Sequence, residues 1–381
     1  MQLPHGFRGA GIAAGIKTSG ARDLTLIVND GPQLFGTAVF TTNKVEAAPV
    51  TWSRQVVKDF RVSAAILNSG GANACTGPEG FADTHKTAEH TADALGISSS
   101  DLVVASTGMI GIRLPMANLL RGVTSAVSEL TDDSGIALAE GIMTTDSHPK
   151  FHSSSMNGAA VFGIAKGAGM LAPSLATMLS VVITDAVVEP TQAQAIFERV
   201  VSRTYNRIDS DGCTSTNDTV LLMASGASGV SLAEPELEEL LMQCCSDLSY
   251  QLIADAEGHS KIIQITVNGA ATEEDAVAIG RACSRNNLLK CAIHGEDANW
   301  GRVLAAVGTV DARMDGQNID VSLNGVMVCK ASTPAESRDL VVMKEKQVDI
   351  KIDLHMGNAS ATVWTNDLTA MYVHENSAYS S

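Results

Sequence analysis

The sequence is poor in aromatic residues and in positive charge. Only 4% of its 381 residues are aromatic, and 26 Lys and Arg against 42 Asp and Glu give a net charge of −16. Nucleic acids and anionic membranes attract basic surfaces, so neither is an expected partner. No apolar run reaches the roughly 18 residues that a membrane-spanning helix needs. The first residues, MQLPHGFR, have no apolar segment behind a basic start, which predicts that no secretory signal is present.

Paired cysteines and metal-ligand spacings are also missing. The seven cysteines are odd in number, scattered, and form no C-x-x-C, which is untypical of a disulfide framework or a zinc site. His148 and His152 are four residues apart, but Pro149 lies between them and argues against a shared helix face. The sequence therefore predicts no metal, reduced thiols and a cytoplasmic location.

What is present is a mixture of helix-like and strand-like patterns. The chain is 45% apolar with 33 glycines, as expected for an aliphatic core with many tight turns. Apolar periodicity and turn residues predict strands and helices throughout, without an internal repeat. The predicted strands are 25–29, 36–41, 64–67, 102–105, 159–165, 177–184, 220–224, 261–267, 290–294, 320–323, 347–354 and 360–364. The predicted helices are 81–95, 115–130, 135–143, 191–206, 234–256, 273–285 and 300–307.

Residues 166–186, KGAGMLAPSLATMLSVVITDA, have no charged side chain between Lys166 and Asp185. The segment GAGMLA fits the loose dinucleotide pattern G-x-G-x-x-A, but that pattern needs a helix to follow. Pro173 and then a Val- and Ile-rich run follow here, so nucleotide binding is disfavoured. Two interpretations stay open, a buried turn leading into a core strand and a concealed nucleophile.

The nucleophile would be Thr177. A threonine hydroxyl needs a base, and cutting the chain before it would free its own α-amine, which titrates near pKa ~7.7–8.0. Such chemistry calls for a small residue before the threonine, a constrained turn and a following strand. Ala176, the Gly167–Pro173 turn region and the run at 177–184 have these properties.

Four polar segments, three of which contain glycine, follow or precede predicted elements. Each could bind a ligand or be an ordinary turn or helix cap, and the sequence alone leaves both open. A Thr-Gly turn after a strand can also contribute to an oxyanion hole. The segments are NSGGANACTG (68–77), ASTGMIG (105–111), IMTTD (142–146) and DGCTSTNDT (211–219).

Together these segments resemble the glutamate N-acetyltransferase/ornithine acetyltransferase family of arginine biosynthesis. The resemblance covers essentially the whole chain in order. It rests on the four segments just given and on IAKGAGMLAP (164–173), LATML (175–179), ADAEG (254–258), GEDANWGR (295–302) and YVHENSAYSS (372–381).

The resemblance implies a self-cleaving enzyme with an α/β fold. The expected cut between Ala176 and Thr177 gives an α chain, 1–176, and a β chain, 177–381, which assemble as two α and two β chains. The implied fold is an αββα sandwich like that of N-terminal-nucleophile hydrolases and the related aminopeptidases. A smaller α/β C-terminal domain is expected at about 280–381.

The implied reaction moves an acetyl group from N-acetylornithine to glutamate. Carried over by motif, Thr177 is the nucleophile, and Thr107 and Gly108 form the oxyanion hole. The resemblance assigns substrate binding to Thr144, Thr145, Lys166, Thr177, Glu257, Asn376 and Ser381. No cofactor is implied, although some members use acetyl-CoA as a co-substrate.

Two functions other than acetyl transfer also fit parts of this pattern. The same threonine could act as an amidohydrolase or aminopeptidase with water as the acceptor. A non-catalytic amino-acid-binding protein could keep the fold and never be cut, but Thr177 behind Ala176 and both oxyanion residues argue against it.

Overall fold

The computed structural model describes residues 1–171 and 178–378, which form three β-sheets and their flanking helices. The strands are β1 (Phe7–Ile12), β2 (Leu24–Asn29), β3 (Phe35–Phe40), β4 (Ala64–Ser69), β5 (Leu102–Thr107), β6 (Lys150–Met156), β7 (Ala159–Lys166), β8 (Leu179–Thr184), β9 (Thr219–Ala224), β10 (Ile262–Ala270), β11 (Asp320–Leu323), β12 (Val326–Lys330), β13 (Thr333–Pro334), β14 (Gln347–Asp353) and β15 (Ala359–Asn366). The helices are α1 (Ala48–Val56), α2 (Gly77–Leu95), α3 (Met116–Ser128), α4 (Gly135–Ile142), α5 (Pro190–Arg203), α6 (Glu234–Ala254), α7 (Glu273–Ser284), α8 (Asn287–His294), α9 (Trp300–Val307) and α10 (Ala370–Ala378). None of the helices in these residues is long and apolar enough to cross a membrane.

Two of the sheets pack face to face. One has four strands in the order β1-β2-β4-β5, and the other has five in the order β3-β9-β8-β7-β6. Their inner faces share one apolar core, to which Ile27 and Val103 contribute from the first sheet and Phe162 and Val181 from the second. Apolar side chains from two sheets that exclude water between them are the main stabilising contact of a sandwich.

Helices cover both outer faces of this pair. Leu119 and Val123 of α3 pack with the outer side of the four-stranded sheet, together with residues of α2. Phe197 of α5 and Leu241 of α6 pack with the outer side of the five-stranded sheet. The layers therefore run helix, sheet, sheet, helix, and the αββα sandwich predicted from the sequence is confirmed.

Strand β8 lies in the interior of the five-stranded sheet. All six of its residues are buried, as its LSVVIT sequence suggests for a strand covered on both faces. It pairs antiparallel with β7, from Val161–Thr184 to Lys166–Leu179, and parallel with β9. The end of β7 and the start of β8 thus meet at the same edge of the sheet, on either side of residues 167–178.

The third sheet has six strands in the order β13-β12-β11-β14-β10-β15 and its own core with helices α7, α8 and α9. Its first strand in the chain, β10, begins at Ile262. The boundary expected near residue 280 falls inside α7.

One predicted strand is wrong. Residues 290–294 belong to helix α8, which begins after an Asn286 side chain that accepts a hydrogen bond from the Leu289 amide at 2.9 Å. Leu289 and Ile293, four residues apart, are both buried. A short apolar run fits a strand or one face of a helix equally well, and here the asparagine cap selects the helix.

Candidate active site

A cavity of about 300 Å³ lies where strands of the two facing sheets end. The turn after β5, the segment after α4, the end of β7 and the turn that follows it all line the cavity. The loop before β9, the segment after α6 and helix α10 complete its wall. From these segments come Thr107, Gly108, Thr144, Thr145, Lys166, Gly169, Asn217, Glu257 and Asn376. Seven of the residues that the sequence singled out are thereby brought together.

The Thr107–Gly108 turn is held by tight backbone contacts. The Thr107 carbonyl accepts hydrogen bonds from the Gly70 and Gly71 amides, each at 3.0 Å. Gly108 has a φ of +125°, and a Cβ there would lie 2.6 Å from the Gly71 nitrogen. Only glycine allows the two backbones to come this close. The loop 68–77 and the turn 105–111 therefore hold each other in position.

Asn217 fastens the loop before β9 to the same place. Its buried side-chain amide donates to the Ala72 carbonyl at 2.5 Å and to the Ser106 carbonyl at 2.9 Å. Buried amide hydrogen bonds of this kind specify one arrangement, because breaking them would leave polar groups unpaired. The polar segment 211–219 is therefore part of the cavity wall rather than a solvated loop.

Lys166, the last residue of β7, is a buried cation. Its side chain is 1% exposed, and Nζ donates to Thr107 Oγ1 at 3.1 Å. This bond uses the threonine hydroxyl as an acceptor, so the hydroxyl proton can be donated to another group. Burial lowers the pKa of Lys166, while the charges of Asp146, Asp218 and Glu257 act in the opposite direction.

Asp146 anchors the segments on both sides of this lysine. One carboxylate oxygen accepts from Lys150 Nζ at 2.6 Å and from the Gly167 amide at 2.7 Å, and the other from the Thr144 amide at 2.8 Å. Lys150 is fully buried and also donates to Asp255 at 2.6 Å. The two ion pairs of Lys150 thus connect β6 to the segments after α4 and after α6, and the Gly167 hydrogen bond connects Asp146 to the turn after β7.

The charge of Asp146 is favoured in spite of its burial. Burial alone would raise its pKa, but Lys166 and Lys150 outweigh this and lower the pKa from 3.8 to about 2. An ionised carboxylate between two buried ammonium groups compensates charges that would otherwise be costly to bury.

Two glycines, Gly169 and Gly258, leave the space that the position of Glu257 requires. Its amide donates to the Ala168 carbonyl at 2.9 Å, and a Cβ on Gly169 would come within 2.6 Å of its carboxylate oxygen Oε2. Gly258 has a φ of +60°, and a Cβ there would lie 2.3 Å from the Tyr372 nitrogen of α10. Helix α10 therefore packs directly on the segment that carries Glu257.

The remaining described candidates lie on the rim. Thr144 and Thr145 follow α4 and are half-buried. Asn376 is exposed on α10 and donates to the Tyr372 carbonyl at 3.0 Å, one turn earlier in the helix.

A second cavity of about 280 Å³ shares Glu257 with the first. Lys290, buried in the wall of this cavity, donates to the Ser210 carbonyl. Asp211 lies beside it, and burial raises the pKa of this carboxyl. The sequence analysis assigns no role to Lys290, and only the fold places it in this cavity wall.

The proposed nucleophile and scissile bond, Ala176 and Thr177, lie outside the described residues, as do Pro173 and Ser381. The residues on either side of the gap are held by the 211–219 loop. The Leu171 amide donates to Asp211 at 3.0 Å, and the Met178 amide donates to Asp218 at 2.8 Å.

Sequence analysis assigned no role to Lys150 or to Asp255, although Asp255 lies in the ADAEG segment. Lys150 is 105 residues from Asp255, and only the fold brings them together. Asp146 was part of a noted motif, yet no role was assigned to it.

A buried lysine, a carboxylate and a Thr-Gly turn thus line one small cavity of the sandwich, and such groups suit an enzyme that transfers an acyl group. Residues 8–381 match the ArgJ family. The match covers nearly the whole chain, and the chain belongs to that family.

Relatives that match over nearly their whole length are named as arginine biosynthesis proteins. The chain is 57% identical to the arginine biosynthesis bifunctional protein ArgJ of Thermobifida fusca, over 100% of both chains. It is 56% identical to the protein of that name from Streptomyces avermitilis, over 99% of this chain and 98% of the relative. The Mycobacterium tuberculosis protein is 50% identical over 100% of this chain and 96% of the relative.

Two solved structures are also similar in sequence. One is ornithine acetyltransferase complexed with ornithine from Mycobacterium tuberculosis. It is 49% identical in sequence, the match covers 45% of this chain and 93% of that chain, and the TM-score is 0.41. The other is the arginine biosynthesis bifunctional protein argJ from Bacillus halodurans. It is 33% identical in sequence, the match covers 51% of this chain and 96% of that chain, and the TM-score is 0.49.

Proposed function

We propose that this chain transfers the acetyl group of N2-acetylornithine to glutamate through an acetyl-threonine formed at Thr177. Its place in the ArgJ family makes it an acyltransferase of arginine biosynthesis. The observation that carries the finer proposal is the cavity that unites Thr107, Lys166 and Glu257.

The chemistry of these groups suits an acetylated amino acid. Attack on the acetyl amide builds a negative charge on oxygen, which the Thr107 hydroxyl and the Gly108 amide would stabilise. Lys166 offers a cation to the substrate carboxylate, and Glu257 offers an anion to an ammonium group. We assign substrate contacts also to Thr144, Thr145, Asn376 and Ser381.

The order of steps follows from one nucleophile serving two substrates. Self-cleavage between Ala176 and Thr177 would free the α-amine that acts as the base. Thr177 then takes the acetyl group and releases ornithine, and glutamate takes the acetyl group from the threonine. The relatives that match the whole chain are named as arginine biosynthesis proteins, which supports acetyl transfer over the hydrolase alternative.

A two-part experiment tests this proposal. The intact mass of the purified protein should show two pieces that divide at Ala176 and Thr177, and Thr177→Ala should leave one chain of 39.7 kDa. Thr124→Ala, at an exposed helix position, is the matched control and should be cut normally. An uncut, fully active wild-type protein would contradict the mechanism.

The second part measures the acceptor. Ornithine should be released from N-acetylornithine much faster with glutamate than without it, and N-acetylglutamate should appear in equal amount. Acetate release that glutamate does not change would indicate hydrolysis. Acetyl-CoA in place of N-acetylornithine tests it as a second acetyl donor.

We further propose that the two α and two β chains remain together in the cytoplasm. Sizing under native conditions should then give about twice the mass of the full chain. A mass equal to one full chain would contradict this assembly.

A further inference from the structure

Lys150 is buried between two carboxylates that come from distant parts of the chain. It is 0% exposed, and Nζ donates to Asp146 Oδ1 and to Asp255 Oδ2, each at 2.6 Å. Backbone amides hold both carboxylates as well, since Thr144 donates to Asp146 at 2.8 Å and Ser147 donates to Asp255 at 3.0 Å. A buried ammonium group that lost either carboxylate would be poorly compensated, so this arrangement is strongly favoured over others.

A second route leads from Asp255 back to Asp146. Glu257 lies two residues after Asp255, and its amide donates to the Ala168 carbonyl at 2.9 Å. Gly167, which is bonded to Ala168, donates its amide to Asp146 Oδ1 at 2.7 Å. The two routes close on each other, and we call this closed path the polar ring. Its members are Asp146, Lys150, Asp255, Glu257, Ala168 and Gly167.

The polar ring holds the positive and the negative side chain of the cavity wall. Glu257 is one of its members, and Lys166 directly precedes the member Gly167 in the chain. Both charged side chains line the cavity. A closed path of covalent bonds and hydrogen bonds restrains its members more than an open path does, because each member is held from two sides. The polar ring therefore fixes the spacing between the backbones of Lys166 and Glu257.

We propose that the polar ring sets the length of substrate that the enzyme accepts, an inference that rests on the function proposed above. In that function Lys166 binds the carboxylate of N-acetylornithine and Glu257 binds its side-chain ammonium group. The distance between these two substrate charges must then match the spacing of Lys166 and Glu257. Asp255 and Lys150 do not line the cavity, and they act as positioning residues that hold Glu257 at the spacing suited to ornithine.

The test compares acetyl donors that differ by one methylene group. N2-acetyl-2,4-diaminobutyrate is shorter than N2-acetylornithine, and N2-acetyllysine is longer. Steady-state rates with glutamate as the acceptor give kcat/KM for each donor. The wild-type enzyme should prefer N2-acetylornithine to both homologues by about 10- to 200-fold, which is the range that one methylene group typically gives.

Asp255→Ala opens the polar ring beside Glu257. It removes one acceptor of the Lys150 ammonium group, while the pair of Lys150 with Asp146 remains. We expect the preference for N2-acetylornithine to narrow to about threefold or less, with KM for this donor rising more than kcat falls. Asp255→Asn keeps an oxygen that can accept from Lys150, so it should recover most of the preference.

A matched control and a second opening of the ring complete the set of variants. Asp247 on α6 also binds β6, by accepting from His152 Nδ1 at 2.9 Å, but it is outside the polar ring. Asp247→Ala should therefore keep the wild-type preference. Lys150→Met opens the polar ring at another contact and should narrow the preference as Asp255→Ala does. Thermal unfolding of each variant shows which of them are folded.

Three outcomes would overturn the inference. The first is a wild-type enzyme that uses N2-acetylornithine and both homologues equally well, which needs no variant. The second is a folded Asp255→Ala or Lys150→Met enzyme with the wild-type preference. The third is an Asp247→Ala enzyme whose preference narrows as much as that of Asp255→Ala, since loosening would then be general. A wild-type protein that transfers no acetyl group from N2-acetylornithine would instead refute the proposed function.

Discussion

The carboxylate of Glu257 occupies the space where a side chain at Gly169 would be. A Cβ at this glycine would lie 2.6 Å from Oε2 and 2.8 Å from Cδ of Glu257. The glycine that follows Lys166 by three residues thus decides where the negative charge of the cavity sits. In the sequence this glycine looked like part of a turn alone.

Replacing Gly169 by alanine should move that carboxylate. The contacting atoms are the end of a flexible side chain, so we expect Glu257 to shift while the backbone and the unfolding temperature stay nearly unchanged. A misplacement of about 1 Å can lower kcat/KM by roughly 100-fold, and kcat/KM for N-acetylornithine is the quantity to measure. Gly316→Ala, where a Cβ would have open space, is the control. Unchanged kinetics would show that the Glu257 position is unimportant.

Replacing Lys166 by methionine should weaken substrate binding. A hydrogen bond to a charged group contributes about 2 kcal/mol, so kcat/KM should fall by at least ~30-fold. Burial lowers the pKa of Lys166, so the wild-type enzyme should lose kcat/KM as the pH rises through a value below that of an ordinary lysine. Steady-state rates from pH 6 to 10 measure this. A flat profile up to pH 10 would contradict a role for the charged form.

Thr107 offers a test of the oxyanion hole. Thr107→Val removes the hydroxyl that accepts from Lys166 and keeps the shape of the side chain. Loss of one such donor typically costs about 2.7–4 kcal/mol, so kcat should fall by roughly 10²- to 10³-fold. Thr107→Ser retains the hydroxyl and should recover most of the rate. Equal activity of the valine and serine variants would exclude this role.

Asp146 should matter for stability as well as for the site. Its pKa is lowered to about 2 in the folded protein, so it contributes about 2 kcal/mol to stability above pH ~4, and this is lost as the pH falls through about 2. Asp146→Asn also leaves Lys150 and Lys166 less compensated, and the free energy of unfolding at pH 7 should drop by about 3 kcal/mol. Urea denaturation measures it, with exposed Asp132→Asn as the control. A loss below 1 kcal/mol would contradict this account.

The elements found from the sequence are those whose signal is local. Two examples are strand β2 (Leu24–Asn29) and strand β8 (Leu179–Thr184), which are buried at every position. In the sequence each is recognisable as an apolar run bounded by polar residues. Strand β6, Lys150–Met156, was not predicted, because its sequence KFHSSSM is polar and half-exposed. Its place in the sheet depends on pairing with β7 and not on its own composition.

At the site, too, local sequence patterns showed the separate segments but not the contacts between them. The glycine-containing turns at 68–77 and 105–111 could be recognised one by one, but not that they bond to each other through Gly71 and Thr107. The ion pairs of Lys150 with Asp146 and Asp255 depend on tertiary contacts, so no local pattern predicts them. Sequence motifs identified the parts of the cavity wall, and folding decided which charges are buried together.

The pairing of β8 has a consequence for the proposed cleavage. Strand β7 belongs to the segment before Thr177 and β8 to the segment after it, and they pair along six residues each. Strand β3, from the first segment, pairs in the same way with β9 of the second. The two products would therefore be complementary fragments of one cooperative folding unit, and neither could leave without exposing the apolar core that both share. The two fragments of the cut chain should separate in denaturing detergent, whereas the native cut protein should unfold in a single thermal transition.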